Sequence, residues 1–132
     1  MAEVKTVRAS AKGVDQTPRK VGLIASLIRG RSVADALLIL ENTPKRAAKP
    51  VAKVVASARA NAVNTHGLDS KSLRIQTIHV SPGQHLKRYR AAAMGRALPY
   101  QKRTSHINVV VSGEEKPRKK TETTTNASKE SK

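Results

Sequence analysis

The chain has 132 residues, enough for one domain, and carries 26 lysines and arginines against nine acids, a formal net charge of +17. With no cysteine, disulfides, thiolate chemistry and zinc knuckles are excluded, and no apolar run approaches the roughly 20 residues that span a bilayer. A body this basic repels itself and is expected to hold a polyanion; its first residues lack the apolar stretch of a secretory signal, so a cytoplasmic protein, or one from an organelle of bacterial descent, is expected.

Thr17 and Pro18 open the first predicted helix, threonine as N-cap and proline where no backbone donor is needed. Val21, Ile24, Leu27 and Ile28 recur along one face, and Gly30 is placed to end the helix in a left-handed conformation. Ser32 and Asp35 form a capping pair for a shorter helix to Leu40, with Ala36, Leu37 and Leu40 as its apolar side. Thr43-Pro44 repeats the cap-plus-proline signal and predicts a long third helix to Asn64 or Thr65. Its stripe is Ala47, Val51, Val54, Val55, Ala58 and Ala62, small residues that let neighbouring backbones come close. Pro50 inside that run predicts a kink, or a helix whose regular part starts only near it. His66-Gly67 closes the helix.

Leu73 to Val80 reads as a strand whose apolar positions change phase between Ile75 and Ile78, which predicts a bulge near Gln76-Thr77. Ile107, Val109 and Val111 alternate and make a second strand. Between them, residues 84–104 hold few apolar side chains, no acid, and Met94-Gly95 near their middle. A ribbon folding there has arms of roughly nine residues, about 30 Å at the usual strand rise. Such a ribbon does not stabilise itself in water and needs a partner. A turn centred on Met94-Gly95 sets Tyr89 opposite Tyr100 and Lys87 opposite Lys102; methionine suits the tight hairpin turns poorly, so a wider tip is the alternative. Residues 113–132 read as a charged, disordered tail.

The chemistry concentrates in the ribbon. From Lys71 to Ser112 there are eight basic residues and no acid, so these charges have no ion-pair partner within the stretch and are expected to meet phosphates. Lys87, Arg88, Arg90, Arg96, Lys102 and Arg103 stand with the chain's only aromatics, Tyr89 and Tyr100. Arginine grips phosphate with a planar fork and tyrosine stacks on exposed bases. Arg19, Lys20, Arg29 and Arg31 add cations from the helices. The four histidines lack metal-ligand spacing, so no metal or other cofactor is expected. Thr104, Ser105 and His106 alternate across a strand, which argues against a nucleophile–base pair and against an enzyme. The main alternative is a nucleoid-type or regulatory DNA-binding protein, from the helix pair joined at Gly30; its second helix carries Asp35 and apolar residues where a recognition helix needs polar ones.

Pro18-Arg-Lys-Val, Leu27-Ile-Arg-Gly-Arg, Ala36-Leu-Leu-Ile-Leu, Ser57-Ala-Arg-Ala-Asn-Ala-Val-Asn, Leu86-Lys-Arg, Gly95-Arg-Ala and Lys102-Arg-Thr-Ser-His-Ile-Asn-Val-Val-Val occur in this order. The series resembles bacterial-type large-subunit ribosomal protein 22 over about residues 8–112. The resemblance implies an α+β domain on residues 1–112. Three helices packed on a short antiparallel sheet, with a long β-hairpin protruding at 84–104, are expected, followed by the tail that composition predicts to be disordered. It implies a structural constituent of the large subunit that binds 23S ribosomal RNA and supports assembly, as a monomer beside neighbouring large-subunit proteins, with no membrane partner. Its hairpin would line the peptide exit tunnel near the macrolide site. The RNA-contacting set expected is Arg19, Lys20, Arg29, Arg31, Lys87, Arg88, Tyr89, Arg90, Arg96, Tyr100, Lys102, Arg103 and His106. The tip expected to face the tunnel and the nascent polypeptide is Ala91, Ala92, Ala93, Met94, Gly95 and Arg96. The family tip usually reads Pro-Arg-Ala-Lys-Gly-Arg; here Ala92 and Met94 stand where it has cations, which implies a weaker electrostatic grip there.

Overall fold

Alternation along Ile107, Val109 and Val111 makes one face of a strand apolar, and that face is fully buried in the core. The computed structural model of the chain describes residues 4–115. In order these form β1 (Lys5–Val14), α1 (Pro18–Ile28), α2 (Val33–Asn42), α3 (Ala48–Asn64), β2 (Arg74–Ala91), a single 3-10 turn (Ala93–Gly95) and β3 (Ala97–Gly113). The strands make one antiparallel sheet in the order β1–β3–β2. Helices cover one face, burying Val7, Ile75, Ile78, Ile107, Val109 and Val111 against Val21, Ile28, Val33, Val51 and Val55. Arg8, Thr77, His79 and Asn108 lie on the other face, exposed. The α+β fold, with three helices on an antiparallel sheet and a long hairpin, is the one expected.

Each helix is set by local chemistry. Ser32 caps α2: its Oγ accepts from the Asp35 N–H at 3.1 Å and donates to the Asp35 carboxylate at 2.7 Å. Gly30 takes φ +74 after α1, and its N–H donates to the Ile75 carbonyl at 3.1 Å, fastening the α1–α2 corner to β2. Leu27 departs from the expected stripe: it is exposed, and Ala25 is buried in its place. All six stripe residues expected of the third helix are buried.

Thr43-Pro44 does not start that helix. The Thr43 hydroxyl donates to the Ile39 carbonyl at 2.6 Å and its N–H to Leu40, so this threonine finishes α2. Regular helix begins at Ala48, which puts Pro50 in the first turn, where a missing N–H costs nothing. Of the two readings of Pro50, the late start is the one realised.

The bulge expected near Gln76-Thr77 is present: Ile75 pairs with Val111 and Thr77 with Val110, leaving Gln76 unpaired. Two expectations about strands change. β1 was not foreseen; it pairs with β3 from Lys5–Gly113 to Ala11–Ile107. The two short strands and the ribbon between them are also one structure, because β2 and β3 run continuously from core to tip. Regular contacts continue past residue 113 as well: the Asp69 N–H donates to the Glu114 carbonyl at 2.9 Å, and Leu68 bridges Glu115. The rest of the expected tail, 116–132, lies outside the described residues.

Candidate nucleic-acid interface

The ribbon begins at a second irregularity of the β2–β3 ladder. Pro82 pairs with Ser105 and His85 with Arg103, so Gly83 and Gln84 together oppose Thr104. The Thr104 hydroxyl donates to the Gln84 carbonyl at 2.8 Å. Beyond this point the strands pair without a break to Ala91–Ala97, a reach of roughly 20 Å at the usual strand rise. At the tip the Ala92 N–H donates to the Arg96 carbonyl at 2.8 Å. Met94 at φ 57 and Gly95 at φ 70 reverse the chain. Met94 is 94% exposed.

This tip is the wider alternative, and it shifts the register by one residue. Arg88, not Tyr89, stands opposite Tyr100; Tyr89 stands opposite Pro99; Lys87 faces Gln101, and Lys102 faces Leu86. The expected Tyr89–Tyr100 and Lys87–Lys102 pairs do not form. Directly opposed residues share a face and successive pairs alternate, so the two tyrosines lie on opposite faces. One face carries the pairs His85–Arg103, Lys87–Gln101 and Tyr89–Pro99; the other carries Leu86–Lys102, Arg88–Tyr100 and Arg90–Leu98.

The faces also differ in how their cations are engaged. Lys102 lies 3.3 Å from the Asp15 carboxylate, which Arg46 approaches at 3.6 Å. The acid-free stretch supplies no partner of its own, but Lys102 finds one outside it, in the loop before α1. Arg88 donates to the carbonyl of Lys87 at 2.9 Å. On the first face, Lys87 and Arg103 make no ion pair among the described residues.

The remaining expected contacts are spread over the body. Arg19 is exposed and borders a groove with Thr17, Pro18, Pro82, His85, Gln101 and Arg103, so the start of α1 abuts the ribbon base. Lys20 borders a different groove of ≈ 540 Å³ with Gln16, Leu23, Lys45 and Arg46. Arg29 reaches the Ile78 carbonyl at 3.4 Å, and Arg31 donates to the Leu27 carbonyl at 2.9 Å. His106 is half-buried, and its Nδ1 accepts the Gly13 N–H at 2.9 Å, so the ring ties β1 to β3. Lys45 and Arg46, in the α2–α3 loop beside Lys20, were not foreseen; their adjacency after Pro44 was the available signal.

The family model described as ribosomal protein L22p/L17e matches residues 9–112. The chain is 51% identical over 104 residues to the large ribosomal subunit protein uL22 of Clostridioides difficile (strain 630), a match covering 79% of this chain and 94% of that protein.

Proposed function

The chain belongs to the ribosomal protein L22p/L17e family, and from that membership we propose that its ribbon is embedded in 23S ribosomal RNA. The ribbon carries the tip Ala91–Arg96 to the wall of the peptide exit tunnel, where it meets the nascent polypeptide. Membership makes the protein a structural constituent of the large ribosomal subunit, acting in translation through RNA binding. One observation carries the finer reading: a ribbon extending beyond the core holds six cations, Lys87, Arg88, Arg90, Arg96, Lys102 and Arg103, and no acid. Isolated two-stranded ribbons are marginal in water, and like charges along one repel. Threading between phosphates removes both penalties through charge-assisted hydrogen bonds and counterion release.

RNA-contacting roles for Arg19, Lys20, Arg29 and Arg31 belong to the same proposal, with the body resting on the RNA that the ribbon enters. The DNA-binding alternative gains nothing from the helix pair. The exposed positions of α2 are Ala34, Asp35, Leu38, Glu41 and Asn42, which present acid where a recognition helix meets phosphate.

The test is chemical footprinting on 23S ribosomal RNA with the full chain and with a chain lacking 86–103. Protection in several separate RNA regions, some lost with the ribbon, is expected. Uniform protection that salt removes equally from RNA and duplex DNA would instead mark a general polyanion binder.

A further inference from the structure

The ribbon's two faces present different chemistry to RNA. The hydrogen bond from the Ala92 N–H to the Arg96 carbonyl sets the ladder's phase. Counting down from it, Arg90–Leu98, Arg88–Tyr100 and Leu86–Lys102 are hydrogen-bonded pairs; Tyr89–Pro99, Lys87–Gln101 and His85–Arg103 are the non-hydrogen-bonded pairs between them. Pro99, with no N–H to donate, falls in the class that needs none. Non-hydrogen-bonded pairs bring opposed side chains closest, so Tyr89 and Pro99 form one apolar platform.

That platform lies in a shallow groove of ≈ 580 Å³ lined by Lys87, Tyr89, Pro99, Gln101 and Arg103 together with Tyr100. Tyr89 is 73% exposed against 50% for Tyr100. The groove shares Gln101 and Arg103 with the one bordered by Arg19 at the start of α1, so a single track runs from the body to Tyr89. The cations of the opposite face are partly engaged already, Lys102 by Asp15 and Arg88 by the Lys87 carbonyl.

We propose that this track is a binding site for a single-stranded RNA segment, with Tyr89, backed by Pro99, stacking on one unpaired base while Lys87 and Arg103, one and two pairs nearer the body, hold successive phosphates of the strand leading away from that base. The inference rests on the RNA-binding reading above and deepens it. A duplex stacks its bases internally and offers the ring no base face, whereas unpaired bases stack on aromatics and leave their phosphates to neighbouring cations. An aromatic at the outer end of one ribbon face, with two cations in line between it and the body, matches that arrangement.

The chain has two tyrosines and no tryptophan, so tyrosine emission reports on these rings alone. Full-length Tyr100→Phe reports Tyr89, and Tyr89→Phe reports Tyr100. Each is titrated with a short unpaired RNA of mixed sequence and with the same RNA as a duplex. The unpaired strand is expected to quench Tyr89 strongly and Tyr100 little, and the duplex to quench neither strongly. Tyr89→Leu should weaken single-strand binding by about tenfold with an unchanged salt slope, and leave duplex binding as it was. Lys87→Gln should reduce the single-strand salt slope by about 0.7. Equal quenching by strand and duplex, or native single-strand affinity in Tyr89→Leu, overturns the proposal. Native 23S footprints alongside such a result would discard the stacking site alone; loss of those footprints in the unsubstituted chain would discard the reading beneath it.

Discussion

The carboxylate of Asp15 lies 3.3 Å from the ammonium of Lys102, joining the loop before α1 to the base of the ribbon. Both side chains are about half exposed, so the pair contributes little to stability, on the order of 1 kcal/mol or less. Its larger effect is on ligand binding, because it holds one ribbon cation on an acid. Asp15→Asn should leave the urea midpoint nearly unchanged while raising RNA affinity and steepening its salt dependence. An unaltered salt slope would mean that Lys102 lies away from any phosphate.

Gly83 sits where the ladder slips at the ribbon's base. A Cβ there would lie 2.5 Å from the Thr104 Oγ1 and 3.2 Å from both the Thr104 backbone carbon and His106 Cε1. Gly83→Ala should destabilise the chain by about 1–3 kcal/mol through this overpacking. Pairing it with Thr104→Ala should recover part of the loss. Urea unfolding of both variants checks this, and full stability in Gly83→Ala would show that the base can spread at no cost.

Ser32→Ala removes the Oγ that accepts the Asp35 N–H. A cost of about 1 kcal/mol is expected, read as a lower urea midpoint at constant slope. Ser32→Asp keeps an acceptor at the cap and should retain most of the stability; equal loss in both variants would assign the effect to something other than capping.

Amide exchange should divide the molecule. The ribbon from 86 to 103 has mostly exposed side chains, whereas α3 buries Val51, Val55, Ala58 and Ala62 completely. Without RNA, ribbon amides should exchange far faster than those of α3. Comparable protection would mean that the ribbon is stabilised by the body itself.

Ala92 occupies a tip position where the family resemblance implies a cation. Ala92→Arg should tighten binding to 23S ribosomal RNA and steepen log K against log salt by roughly 0.7–0.9. A slope identical to that of the unsubstituted chain would place no phosphate at that point of the tip.

Much of this was readable from residue order alone. Helical spacing located the three helices, the Ser32–Asp35 pair marked the start of α2, and all six small residues of the α3 stripe are buried. The phase change between Ile75 and Ile78 showed the bulge at Gln76. These features depend on contacts within a turn or a few residues of strand, where periodicity and capping act. The acid-free basic ribbon was equally visible, because charge is a property of composition. β1 went unseen although Thr6, Arg8, Ser10 and Lys12 alternate with Val7, Ala9 and Ala11, since alanine carries a weak strand signal.

Register and pairing needed the folded molecule. Whether Tyr89 meets Tyr100 or Pro99 turns on one residue in the tip, and the left-handed Met94 made the difference. A slip of one moves every side chain to the other face, so the division of the ribbon into two chemical faces was not legible from composition. The Asp15–Lys102 pair likewise joins segments far apart in the chain. Residue order determined which charges and which periodic surfaces this protein has. Only the tertiary structure decided which of them stand side by side, because cross-strand geometry and distant ion pairs are set by where the backbone returns.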